Sequence, residues 1–102
     1  MTQHSMFSLF LGHSKSDGGV VTTDDLRRFF GVVSRYFPGF TATEALGYWK
    51  GQREGSTRLD IVAPDTAENR QSIEAIAGVY VCDHGQQSVM MTVQHVTVLW
   101  SE

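Results

Sequence analysis

The chain has 102 residues, 41% apolar and 19% charged, enough for one hydrophobic core and too few for two ordinary domains. Its eleven aromatics, with all six phenylalanines between Phe7 and Phe40, exclude a disordered chain. A net charge of −3, with eight Lys and Arg scattered along the chain, provides no basic stripe, so a nucleic-acid duplex is not an expected partner. The lone Cys82 excludes an intrachain disulfide and a CxxC knuckle, and no metal or cofactor is expected. Residues 1–6 lack a basic leader segment, and Phe7 to Leu11 is too short to cross a bilayer, so a cytoplasmic protein without a membrane partner is expected.

Phe7 to Leu11 reads as a first strand: it is short, aromatic and aliphatic, and a turn-rich stretch from Gly12 to Gly19 follows it. Thr22 or Thr23 ahead of Asp24-Asp25 supplies an N-cap and first-turn acids. Leu26, Phe29, Phe30, Val33 and Phe37 then recur at helical spacing, so a helix is predicted from about Thr23 to Phe37, stopped by Pro38-Gly39. A strand over Thr43 to Lys50 is expected to enter a hairpin through turn residues Gly51 to Ser56. Its partner, Thr57 to Ala63, alternates Leu59, Ile61 and Ala63 with Arg58, Asp60 and Val62. Pro64 ends that strand. Asp65 or Thr66 caps a second helix whose Ile73, Ile76, Ala77, Tyr80 and Val81 share a face, with His84 in the last turn and Gly85 as exit. Ser88 to Trp100, rich in Val, Met and Thr, reads as a long final strand.

This strand-helix-strand-strand-helix-strand order predicts one α+β domain over residues 1–102, ferredoxin-like, with a four-stranded antiparallel sheet and both helices on one face. The opposite face, carrying Phe10 and Trp49, is left uncovered. Large aromatics on an open sheet face mark an interface, and a homodimer or higher oligomer joined sheet to sheet is the expected form.

Phe10-Leu11-Gly12, Ser14, the Asp17-to-Thr22 loop, Arg35 to Thr41 with its Phe-Pro-Gly-Phe-Thr core, Gly47-Tyr48-Trp49 and Gln86 to Val89 together resemble a bacterial domain-of-unknown-function family of small proteins. The resemblance spans nearly the whole chain and implies a ferredoxin-like α+β domain with no established activity. Members of that family often carry an export leader, which is not expected of this chain. Its size and style also suit a phage accessory protein, which would place it in the host cytoplasm.

Three groups of residues are candidates for a site. The Gly12-to-Gly19 loop, with His13 and Lys15 beside a helix N-terminus, has anion-binding chemistry, although the Walker order is absent and a solvated turn is the simpler reading. His13 and His95 are expected to approach one another across neighbouring first and last strands, near Asp60 or Asp17, as an acid/base or metal-binding pair; surface or interfacial histidines are the simpler reading. Tyr48, Trp49, Arg58 and Asp60 on the central hairpin, with Ser8, Phe10, Thr92 and Gln94, are expected to line a pocket on the open face or at a subunit seam, unless Trp49 and Phe10 only pack an interface. Cys82 is expected to be a buried or half-buried structural thiol.

The leading expectation is a non-catalytic oligomeric protein that sequesters a small anionic or nucleotide-like ligand between subunits. A protein-protein interaction module acting through the open face, and a small acid/base enzyme using His13 or His95, are the two alternatives.

Overall fold

The computed structural model describes residues 3–101. Its elements follow the expected order: β1 (His4–Gly12), α1 (Thr23–Tyr36), β2 (Thr41–Trp49), β3 (Gln52–Pro64), α2 (Ala67–His84) and β4 (Met90–Val96). The strands form one antiparallel sheet ordered β2-β3-β1-β4, so the chain has the ferredoxin-like α+β topology.

Alternation decides which side of the sheet is covered. Phe7, Leu9 and Leu11 of β1 lie opposite Ile61, Leu59 and Thr57 of β3, and all six are buried on the side that carries the helices. Onto them α1 lays Phe29 and Val33, and α2 lays Ile73, Ile76, Ala77 and Tyr80. The helix faces meet through aromatic edges: the Phe29 and Tyr80 ring centroids are 5.0 Å apart and nearly perpendicular. Tyr80 also donates a 2.6 Å hydrogen bond from its hydroxyl to the carbonyl of Gly12, tying α2 to the end of β1. Burial, with the Glu54 and Asp25 carboxylates adding to it, pushes the Tyr80 phenol well above the ordinary tyrosine range, so it remains a donor.

The helix ends follow local chemistry. Thr22 accepts from the Asp25 N–H while the Asp25 carboxylate accepts from the Thr22 N–H, a reciprocal capping box. Thr66 caps α2 by accepting from the Asn69 N–H, and Gly85 leaves it at φ 60°, a left-handed conformation that costs glycine little.

Three expectations need correction. The hairpin turns at Lys50 and Gly51 alone, both with positive φ (51° and 76°), so residues 52–56 extend β3 instead of forming a loop. That two-residue turn has the handedness that suits twisted strands, and β3 grows to thirteen residues. At about 3.3 Å per residue β3 accounts for most of the 46 Å long axis of the molecule. The last strand is shorter than expected: Val96 faces His4, the first residue of β1, so β4 ends where its partner does. Cys82 is exposed, because it lies on the face of α2 away from Tyr80 and Ile76. The buried residue in that last turn is His84, packed 4.7 Å from the Tyr80 ring with no hydrogen-bond partner for its Nδ1 among the described residues.

Tyr80→Phe removes the α2-to-β1 tie while keeping the ring. Urea unfolding should show a loss of about 1–2 kcal/mol; an unchanged midpoint would mean that the hydroxyl contributes nothing to the fold.

Candidate functional site

On the uncovered side of the sheet the register sets residues in rows. Thr41, Asp60, Ser8 and Thr92 form one row across β2, β3, β1 and β4, and Thr43, Arg58, Phe10 and Met90 form the next. Ser8 donates to Asp60 Oδ1 at 2.6 Å, and Arg58 Nε donates to the same oxygen at 3.1 Å. The Arg58 guanidinium lies 5.4 Å from the centroid of the Phe10 ring, so arginine, aromatic and carboxylate hold one another in place. Ser8 is buried although it points to the uncovered side, and the carboxylate it orients is only partly exposed. Both donors use Oδ1. Among the described residues no hydrogen bond reaches Oδ2.

Asp60 also forms part of the wall of a wide groove of about 950 Å³, where the α1–β2 connection meets the end of the sheet. Tyr36, Phe37, Phe40 and Trp100 give the groove four aromatic rings, and Met6 and Val62 give it an apolar floor. No Lys or Arg is among its lining residues, so Asp60 is the charge that a ligand there meets.

Of the residues picked from the sequence, Tyr48 turns to the helix side, and Ser8, Phe10, Arg58, Asp60, Thr92 and Gln94 share this face. Trp49 has the same facing, but it is opposite Gln52 at the hairpin tip, six residues along β2 from the Thr43 that faces Arg58. That is about 20 Å at strand spacing, so Trp49 and Arg58 line no common pocket within one chain. His13 and His95 are not neighbours. Antiparallel pairing sets His95 opposite Ser5, whereas His13 follows the other end of β1, eight residues or about 26 Å away. The acid/base pair expected of them does not form. His13 Nε2 lies 2.8 Å from Thr57 Oγ1 on the helix side, and desolvation lowers its pKa against the opposing pull of Glu54 and Glu44.

The glycine loop is a closed turn. Lys15 N–H donates to the Gly19 carbonyl, Val21 N–H donates to the His13 carbonyl, and Ser16 N–H donates to the Gly85 carbonyl at the end of α2. The Lys15 ammonium lies 3.3 Å from Asp25, which neutralises the cation proposed to hold an anion.

Sequence reasoning missed the groove and a second cluster. Tyr36 lies off the apolar stripe of α1 and Phe40 lies beyond the Pro-Gly stop. Both are aromatics with no core position assigned, and that was the available signal. The second cluster surrounds Asp65 on the helix side. Its carboxylate takes two hydrogen bonds from Arg70, at 2.7 and 2.9 Å, and one from Ser5 at 2.7 Å, with His95 Nε2 at 3.7 Å. Such bidentate recognition joins residues distant in sequence, so no motif announces it.

A family model for proteins of unknown function, DUF3574, matches residues 6–100. The chain belongs to that family. No curated protein matches its sequence. Among solved structures it is similar to a phage SAM lyase in complex with S-methyl-5′-thioadenosine (TM-score 0.63, 20% identity, 99% of this chain and 94% of that one covered). The apo state of a phage SAM lyase matches with TM-score 0.67 and 19% identity over 98% and 94% of the two chains. CutA from Synechococcus elongatus, complexed with a Bis-Tris molecule, matches with TM-score 0.58 and 9% identity over 94% and 82%. At these identities the likeness establishes a shared fold.

Hydrogen bonds from Arg70 first, then from Ser5, hold the Asp65 pKa down at about 2, against an unperturbed 3.8. A depressed carboxylate stabilises the fold above its unfolded pKa and loses that contribution as pH falls through the folded value. The stability gap between the wild type and Asp65→Asn should therefore be constant from neutral pH to about pH 4 and close between about 4 and 2. Denaturant titrations across that range test this; a gap that persists to pH 2 would contradict it.

Proposed function

We propose that the protein is a non-catalytic, self-associating binding protein for a small nucleoside-like molecule, seated in the groove at Asp60. The observation that carries this reading is the Asp60 carboxylate, oriented by Ser8 and Arg58 at the edge of an aromatic groove. Aromatic walls with one fixed polar group are what a planar heterocycle with a polar appendage needs. A carboxylate with an oxygen to spare accepts from ribose hydroxyls or pairs with a sulfonium or ammonium centre.

The same pairing argues against the anionic ligand expected from sequence. Arg58 is engaged by Asp60 and Lys15 by Asp25, and the groove wall itself holds no Lys or Arg, so a phosphate there finds no free cation to pair with. A neutral or cationic nucleoside is the better fit. The solved phage protein of the same fold is bound to S-methyl-5′-thioadenosine, which supports that ligand class as the first to test. It also supports a phage accessory protein acting in the host cytoplasm as the setting. The acid/base enzyme alternative loses its basis with the separation of His13 and His95.

Thermal-shift and calorimetric titrations with S-methyl-5′-thioadenosine, SAM and adenosine should detect binding, and ATP should bind at least tenfold more weakly. Asp60→Asn should weaken the bound nucleoside by about tenfold, which is about 1.4 kcal/mol. Chromatography of the mixture should return the ligand unchanged. Tighter binding of ATP would overturn the ligand class, and conversion of the ligand would overturn the non-catalytic part.

A further inference from the structure

Both edges of the sheet are open. β2 exposes nearly its whole length, and its only charged residue is Glu44; β4 holds no Asp, Glu, Lys or Arg, and His95 is its only titratable side chain. Neither edge carries the lysine, proline or bulge that commonly prevents strands from pairing with other chains. On the helix side, Leu46 and Tyr48 of β2 are 52% and 67% exposed, and Met91 and Val93 of β4 are 40% and 44% exposed. The two uncovered apolar strips thus lie at opposite edges of one sheet, on the same side.

The hydrogen-bond phase of each edge follows from the interior. His13 N–H donates to the Gly55 carbonyl and Asp65 N–H to the Gln3 carbonyl, so the odd residues of β1 bond toward β3. The even residues of β1 then bond toward β4, engaging Met90, Thr92, Gln94 and Val96. Consequently Met91, Val93 and His95 aim their N–H and C=O groups outward. By the same alternation the odd residues of β2 bond to β3, and Ala42, Glu44, Leu46 and Tyr48 aim theirs outward. Because β1 is antiparallel to β3 and to β4, and β3 to β2, β2 and β4 are themselves antiparallel.

We propose that β2 of one copy pairs antiparallel with β4 of the next, Thr43–Trp49 against Met90–Val96, in a head-to-tail assembly that continues the sheet. In this register Glu44 meets His95, Leu46 meets Val93 and Tyr48 meets Met91. All three are hydrogen-bonded pairs on the helix side. Trp49 meets Met90 on the other side. Every residue of β4 is paired, the lone acid of one edge faces the lone imidazole of the other, and two aromatics lie against two methionines. Shifting by two residues, the smallest slip that keeps phase and facing, separates Glu44 from His95. Asp65 lies 3.7 Å from His95 on its other side, so the imidazole sits between two carboxylates. The join is edge to edge, in place of the sheet-to-sheet contact expected from sequence, and leaves the Asp60 face free. A head-to-tail join forms a ring where its rotation closes. The inference rests on the self-association proposed above and is independent of the ligand.

The full chain is tested in a Cys82→Ser background. Light scattering of that protein should show an oligomer, and Glu44→Lys should raise its dissociation constant at least tenfold while circular dichroism stays unchanged. Ala45→Cys together with Gln94→Cys occupies a non-hydrogen-bonded pair in the proposed register, with Cα atoms about 4.5 Å apart across the join. Mild oxidation of the double variant should give a reducible ladder of covalent multimers, and each single variant should stay uncrosslinked. A dimer from Ala45→Cys alone or from Gln94→Cys alone means that like edges pair and overturns the head-to-tail join. An oligomer without the ladder overturns the register alone. A monomeric background protein overturns the join and self-association together, whatever the nucleoside titrations show.

Discussion

The structure depends on the register of β1. This strand is central, bonded on one side to β3 and on the other to β4, and it supplies Phe7, Leu9 and Leu11 to the core. A slip of one residue against either neighbour would turn those three side chains to the uncovered face and bring Met6, Ser8 and Phe10 under the helices. The cost of exposing three large apolar groups, each worth about 1.5–3 kcal/mol, is what fixes the register. Once it is fixed, Ser8 stands opposite Asp60, Phe10 opposite Arg58, and Ser5 opposite His95. The polar clusters on both sides of the sheet are consequences of packing the core.

The two carboxylates at the ends of these cross-strand pairs illustrate two uses of one residue type. Asp65 is saturated: Arg70 takes both oxygens, Ser5 adds a third bond, and the depressed pKa reports how fully the charge is compensated. Asp60 is oriented but only half used, with two donors on one oxygen and an aromatic groove beside it. The first arrangement ties α2 to the strand edge. The second leaves hydrogen-bonding capacity at the surface, where a ligand can meet it. Lys15 and Arg58, the two cations that looked available for an anion, are already paired, so neither is free to hold one.

The long central hairpin connects the fold to assembly. Because the turn is only Lys50-Gly51, β2 and β3 run on past the helices, and the outer edge of β2 is left without a neighbour. Backbone groups on such an edge are satisfied by water or by another strand. The phase and facing of β4 at the other side of the sheet are complementary to it. A fold of this size thus presents two separate surfaces, an open strand edge and a face with a fixed carboxylate.

Local chemistry in the sequence determined the elements and their order: the Thr22 cap, the Pro38-Gly39 stop, the Thr66 cap and Gly85 exit, and the alternation of Leu59, Ile61 and Ala63. These are short-range signals, carried by backbone preferences and by which side chains tolerate water. It also determined that Phe10, Arg58 and Asp60 share the uncovered side, since facing follows from period two. Distances along that side were decided only by tertiary pairing. Trp49 and Arg58 face the same way but lie far apart, and His13, just past β1, and His95, in β4, lie at opposite ends of adjoining strands, because antiparallel pairing joins the start of one strand to the end of the other. The exposure of Cys82, the burial of His84 and the groove of Tyr36, Phe40 and Trp100 likewise came from how helices and connections pack on the sheet, an outcome set by contacts between residues distant in sequence.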